Sequence, residues 1–187
     1  MSSSTRSCTR NALVALALCA VLASAPARAD VPPHVQRALG EVQTAGSGRL
    51  TWFGLHVYDA RLLVPAAGFD PRRYAEQPFA LELTYARKLS GRAIAERSEA
   101  EMARMGFGTE AQRTRWRQSM TALFPDVRPG QSITGVHLPG QATEFFVDGR
   151  PLGRIDDPAF GAAFFAIWLD PRTVAPDLRT SLLRRTL

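Results

Sequence analysis

Two spacings of apolar residues take turns along the chain. Residues 48–63, GRLTWFGLHVYDARLL, place apolar side chains at every second position, which predicts a strand run over 49–64, broken or bulged near Asp59. FALELTYAR (79–87) alternates in the same way, with Phe79, Leu81, Leu83 and Tyr85 on one face and Glu82 and Thr84 on the other. The period then lengthens. Ser90 caps a predicted helix through GRAIAERSEAEMARMG, with Ile94, Met102 and Met105 as core contacts and Gly106 and Gly108 as its stop. Thr109 and Gln112 form a capping-box pattern for a second helix, whose stripe of Trp116, Met120, Leu123 and Phe124 ends at Pro125. QSITGVHL and ATEFFVD read as strands around Pro139-Gly140, and a turn at Asp148-Gly149 leads into RPLGRI. Asp157-Pro158 opens a helix, PAFGAAFFAIWL, with almost no polar face, and APDLRTSLLRR reads as a last amphipathic helix.

Between these elements, residues 30–47 read as a loose lead-in holding a short helix near 34–39, and residues 65–78 as a loop rich in Pro, Gly and Asp. The G-x-G of AGSGRL precedes a strand rather than a helix, so it reads as a turn and not as a dinucleotide fingerprint. Strands, two helices, strands and two helices, in that order, predict an α+β fold with an antiparallel sheet and its helices on one face.

The first 29 residues change the accounting. Arg6 and Arg10 precede the apolar run NALVALALCAVLAS, and APARAD supplies small residues at Ala27 and Ala29. That is the layout of a signal peptide cleaved after Ala29, leaving one domain over 30–187 and placing the protein, in a bacterium, in the periplasm. Both cysteines, Cys8 and Cys19, lie in the removed part, which excludes a disulfide, a thiolate metal site and a cysteine nucleophile from the exported chain. Three arginines leave with it and no acid does, so the formal charge falls from +6 to +3. Without a basic cluster or a known reader motif, no nucleic-acid partner is expected. His34, His56 and His137 are far apart, so no metal site and no cofactor is expected. Glu96, Glu99 and Glu101 read as a solvated helix face.

The chemistry-bearing feature is the strand from Arg49. With period two, Arg49 and Thr51 share a face with Phe53, Leu55 and Val57, and Gly54 interrupts the run. An arginine at the end of an apolar slot suits a carboxylate or another oxyanion, which its planar fork binds through paired, charge-assisted hydrogen bonds. It equally suits a surface pair with a neighbouring acid, and the pattern alone leaves both open.

The ordered blocks TWFGLHVY, PFALELTYARKLSGRAIAERSEAEM, TRWRQSMTALFPDVRPGQSITGVHLPG and FFVDGRPLGRIDDPAFGAAFFAIWLDP together resemble the chalcone isomerase-like family, in its signal-bearing bacterial branch. The resemblance spans about 45–185. It implies an open-faced β-sandwich with a ligand cleft between sheet and helices, and a function drawn from isomerases, fatty-acid binders or members without known catalysis. Thr51, just before WFG, matches the family's threonine, and Arg49 matches its arginine with a shortened spacing. The other isomerase positions are missing. The chain past residue 29 contains no asparagine, LSGRAIAERS has no tyrosine, and Gly161 and Ala162 stand where a hydroxyl is needed. Each missing donor to a developing enolate costs roughly a hundredfold or more in rate. The expectation is therefore a non-catalytic carrier of a fatty acid or similar amphipathic carboxylate, with Arg49, Thr51, Tyr58 and Tyr85 as ligand-binding residues. Two alternatives stand beside it. One is an isomerase-type intramolecular lyase using Arg49 and Thr51, with Tyr58, Tyr85 or His56 as substitute donors; the other is a structural or partner-binding protein.

Overall fold

The computed structural model describes Met1 and residues 31–186. The signal peptide expected over 1–29 and its cleavage site after Ala29 lie, Met1 aside, outside the described residues. Six antiparallel strands form one meander in chain order: β1 (Val42–Trp52), β2 (Leu55–Pro65), β3 (Phe79–Tyr85), β4 (Ser132–Leu138), β5 (Ala142–Val147) and β6 (Arg150–Ile155). Helices α2 (Gly91–Arg104), α3 (Glu110–Leu123), α4 (Pro158–Leu169) and α5 (Pro176–Leu182) share a core with one face of this sheet. The short α1 (Pro33–Leu39) lies on the opposite face, where Val35 closes a small cluster with Leu63, Ala80 and Val136. The α+β open-faced architecture is as expected, with α1 as a partial second layer.

The strand expected over 49–64 is a hairpin instead. Phe53 and Gly54 both adopt positive φ (48° and 75°), the backbone of a two-residue type I′ connection, so β1 turns back into β2 at that point. Residues 42–47, read as lead-in, are the first half of β1. The expected loop after β2 contains a 3₁₀ turn over Pro71–Glu76, capped by the Asp70 carboxylate, which accepts from the Arg72 N–H at 2.9 Å. The predicted caps form: the Ser90 hydroxyl accepts from Ala93 N–H, Thr109 and Gln112 make a reciprocal capping box, and Asp157 accepts from Ala159 N–H. The other Asp157 oxygen accepts from Trp116 Nε1 at 2.7 Å, fixing the start of α4 against α3.

β3 lies inside the sheet, and its alternation works as read: Phe79, Leu81, Leu83 and Tyr85 are buried under the helices. Phe79 meets Phe165 of α4 edge-on with ring centroids 4.7 Å apart, and Phe124 meets Phe145 at 4.9 Å. Because α4 is apolar on nearly every side, it can contact the sheet, α2 and the 3₁₀ turn together.

The glycines of AGSGRL form no turn of the hairpin; they lie within β1 because α5 leaves no room for side chains there. A Cβ on Gly46 would stand within 2.5 Å of the Leu182 carbonyl oxygen and closer still to that of Ser181, which is backbone meeting backbone. Gly46→Ala is therefore expected to lower unfolding free energy by at least roughly 1–3 kcal/mol, the usual cost of overpacking. Denaturant titration at constant m-value checks this.

Two histidines are buried with their pKa lowered. Burial lowers His137 against the single hydrogen bond between its Nε2 and the Ala75 carbonyl at 3.0 Å. Burial of His34 in the first turn of α1, against Phe146, lowers it, opposed by Glu82 and helped by Arg37. Both remain neutral in the fold at pH values where the unfolded chain already binds a proton. Stability is thus fully present above the unfolded value of about 6.5 and is lost as pH falls below it. The melting temperature is expected to drop between about pH 7.5 and about pH 5, and His137→Gln should flatten part of that dependence.

Candidate functional site: an apolar cavity with a cationic mouth

A cavity of about 370 Å³ lies between the helix-covered face of β1–β5 and helices α2 and α4. That volume falls within the range of small-molecule sites, about 300–1,000 Å³. Its inner wall is aliphatic and aromatic, with Leu81, Ile133, Phe145, Phe164 and Phe165 among the buried side chains. Gly135 of β4 faces Leu81 on one side and Phe145 on the other, and its missing side chain lets the rings of Phe145 and Phe165 close over the strand.

A β-bulge sets the polar part of the wall. Leu50 pairs with Tyr58 and Thr51 with His56, so Val57 is an extra residue on β2. Val57 and Tyr58 consequently both turn toward the cavity, and His56 turns away to within 3.3 Å of Asp59. The Tyr58 hydroxyl accepts from Trp168 Nε1 at 2.9 Å, which leaves its own proton available as a donor. Tyr85, directly opposite on β3, meets the Tyr58 ring edge-on at 6.0 Å. Burial pushes the Tyr58 phenol up to about 12 and raises Tyr85 as well, so both are neutral hydroxyls at any physiological pH.

The mouth is defined by exposed residues. Trp52, Phe53 and Leu55 of the hairpin tip stand there, with Val174 beyond α4 and Arg87 just after β3. Arg97 of α2 lies over the Trp52 ring at 5.1 Å and pairs with Glu101 at 2.6 Å. Glu101 is only 6 % exposed and also accepts from Arg104 Nε at 2.8 Å. Arg87 is exposed and makes no ion pair among the described residues. The cavity thus has an apolar interior, two neutral tyrosine hydroxyls in its wall and two guanidinium groups on its lining, Arg97 in contact with the hairpin tip.

Of the residues expected to bind ligand, Tyr58 and Tyr85 line this cavity and Arg49 and Thr51 do not. The hairpin is the reason. Leu50 and Trp52 of β1 face the cavity, so Arg49 and Thr51, which alternate with them, point to the other side of the sheet. Arg49 donates to Asp59 across the β1–β2 pair at 2.9 Å, with both side chains half exposed or more. The reading of Arg49 as partner of a surface acid is therefore the correct one, and the expected pocket anchor is corrected. Glu101 is a second correction: it is buried against the cavity rather than part of a solvated face. Its position seven residues after Ile94 and four before Met105 was the available signal, because those spacings fall on one helical stripe. Among the described residues no group of His, Cys, Asp and Glu side chains could hold a metal ion, and no helix is long and apolar enough to cross a membrane.

An open antiparallel sheet with helices over one face and an apolar cavity between them defines the class of fold. The chalcone isomerase-like family profile matches residues 25–184, and the chain belongs to that family. A protein of Haemophilus influenzae, itself described only as uncharacterized, is 28 % identical over 146 residues, covering 77 % of this chain and 69 % of its own. The crystal structure of a fatty-acid binding protein of Arabidopsis thaliana, AtFAP1, superposes with a TM-score of 0.62 at 13 % identity, covering 79 % of this chain and 89 % of that one. At that identity the likeness is one of fold.

Proposed function

We propose that the protein is a periplasmic carrier of a fatty acid or a similar amphipathic carboxylate. The observation that carries this reading is the cavity itself: apolar at depth, and lined by Arg87 and Arg97 as candidate partners for a carboxylate. An acyl chain would replace water against Leu81, Ile133, Phe145 and Phe165, at about 0.8 kcal/mol per buried methylene. The headgroup would take charge-assisted hydrogen bonds from the arginines, with neutral tyrosine donors within the same cavity. A carrier needs no general base, and no carboxylate of this wall is free to serve as one, since Glu101 is held by two arginines. The fatty-acid binding named for the Arabidopsis protein fits the same ligand class. The basic, apolar and small-residue pattern of residues 1–29 supports export.

Native mass spectrometry of the purified protein, with extraction and identification of any ligand, tests the reading. A co-purifying fatty acid, displaced by added fatty acid, is the expected result. An empty cavity that takes up no fatty acid, together with cyclisation of a chalcone above its uncatalysed rate, would overturn it in favour of an isomerase.

A further inference from the structure

Apart from Met1, four large hydrophobic side chains are exposed among the described residues, and all four belong to one site. Trp52, Phe53, Leu55 and Val174 each border the mouth of the cavity, and Phe53 is 89 % exposed. Scattered exposed apolar residues need no explanation, but a cluster confined to the rim of a cavity marks an interaction surface. The hairpin tip is also built at a conformational cost. Phe53 has φ +48° in a turn position where Asn, Asp or Gly is the unstrained choice, and a bulky side chain with positive φ is rare. An aromatic ring held in that backbone and turned to solvent is not there for the fold, whose core it does not enter.

The charge around the tip names the partner. Arg87 lines the mouth and Lys88 follows it, both exposed and neither in an ion pair among the described residues. Arg97 lies over the Trp52 ring and is balanced by Glu101, and Arg92 on the same helix is balanced by Glu96. The rim therefore carries the uncompensated charge of Arg87 beside Trp, Phe and Leu, with the exposed Lys88 next to it in the chain. This composition suits the boundary between headgroups and acyl chains of an anionic bilayer, where aromatic rings enter the interface and Arg or Lys meets phosphate.

We propose that the β1–β2 hairpin tip, with Arg87 and Lys88, docks the cavity mouth onto an anionic phospholipid surface, so that ligand passes between bilayer and cavity without crossing water. The bilayer is the occupant of this surface; the passage of ligand rests on the carrier reading, and the docking does not.

Co-sedimentation of ligand-stripped protein, with intact mass confirming that no apolar leader remains, separates the two. With vesicles of phosphatidylcholine and phosphatidylglycerol the protein is expected to sediment, and with phosphatidylcholine alone to stay largely in solution. Phe53→Asp should lower partitioning by roughly tenfold or more. The double variant Arg87→Gln/Lys88→Gln should lower it by about fivefold per charge and reduce its salt dependence. Brominated lipid should quench Trp52 specifically, since Trp116 and Trp168 are buried, and Trp52→Phe should remove that quenching. Equal binding to both vesicle types, or wild-type partitioning of Phe53→Asp, would overturn the proposal. So would a concentration-dependent dimer lost in Phe53→Asp without vesicle binding, which would make the tip an interface between copies. Failure to sediment with fatty-acid uptake intact sinks docking alone; sedimentation of a protein that takes up no fatty acid sinks the carrier alone.

Discussion

Replacing Arg87 and Arg97 together with alanine is expected to weaken binding of a fluorescent fatty acid by roughly ten- to a hundredfold or more, while Arg49→Ala leaves it unchanged. The magnitude follows from hydrogen bonds to a charged group, about 1.5–3 kcal/mol each when one partner is removed. The two arginines are not equivalent. Arg87 has no ion pair among the described residues and can meet a carboxylate directly. Arg97 is shared with Glu101 and packed over Trp52, so its truncation also loosens the mouth. Arg87→Ala alone should therefore account for most of the loss in affinity, with Arg97→Ala adding a faster off-rate. Arg49 is the internal control: it lies on the other side of the sheet, paired with Asp59 at the surface, and an exposed pair of this kind contributes little to stability. Displacement titrations of the variants, alongside their thermal melts, make the comparison. Equal affinity in the double variant and the parent would remove the carboxylate from the mouth and leave an uncharged ligand as the alternative.

The contrast between Arg49 and Arg87 shows where the sequence was legible. Alternation in β3, the caps of α2, α3 and α4 and the all-apolar α4 each reported a local requirement, and each formed as expected. The face assignment of Arg49 required two long-range facts. One is the turn at Phe53-Gly54, which lacks the usual Asn-Gly or Asp-Gly signal because a phenylalanine occupies its first central position. The other is parity: the bulges at Ala45 and Val57 each add one residue to one strand, and every added residue exchanges the two faces beyond it. No period count along one strand detects that. Arg87 and Arg97 were illegible for a different reason. Each sits in an ordinary exposed position, after a strand and on a helix, and becomes part of a site only because the hairpin tip meets α2 in space.

Glu101 gives the sharpest test of how the mouth works, because stability and binding should move in opposite directions. Its carboxylate is 6 % exposed and is held by Arg97 at 2.6 Å and Arg104 at 2.8 Å, so it occupies Arg97 as an incoming carboxylate would. Glu101→Gln keeps the size of the side chain and removes the charge. Unfolding free energy is expected to fall by roughly 1–3 kcal/mol, toward the lower end because both arginines can turn to water. Arg97 then has no competing anion, and fatty-acid affinity is expected to rise about tenfold, an amount equivalent to one charge-assisted hydrogen bond recovered. Glu101 would thus hold the mouth in order when the cavity is empty and give up Arg97 when ligand arrives, which favours release over tight retention. If Glu101→Gln instead binds more weakly, Glu101 positions Arg97 for the ligand rather than competing with it, and the anchoring falls to Arg87 alone. A double variant, Glu101→Gln with Arg97→Ala, separates the cases: competition predicts that the gain in affinity disappears with Arg97, whereas a gain that survives would have to arise elsewhere in the wall.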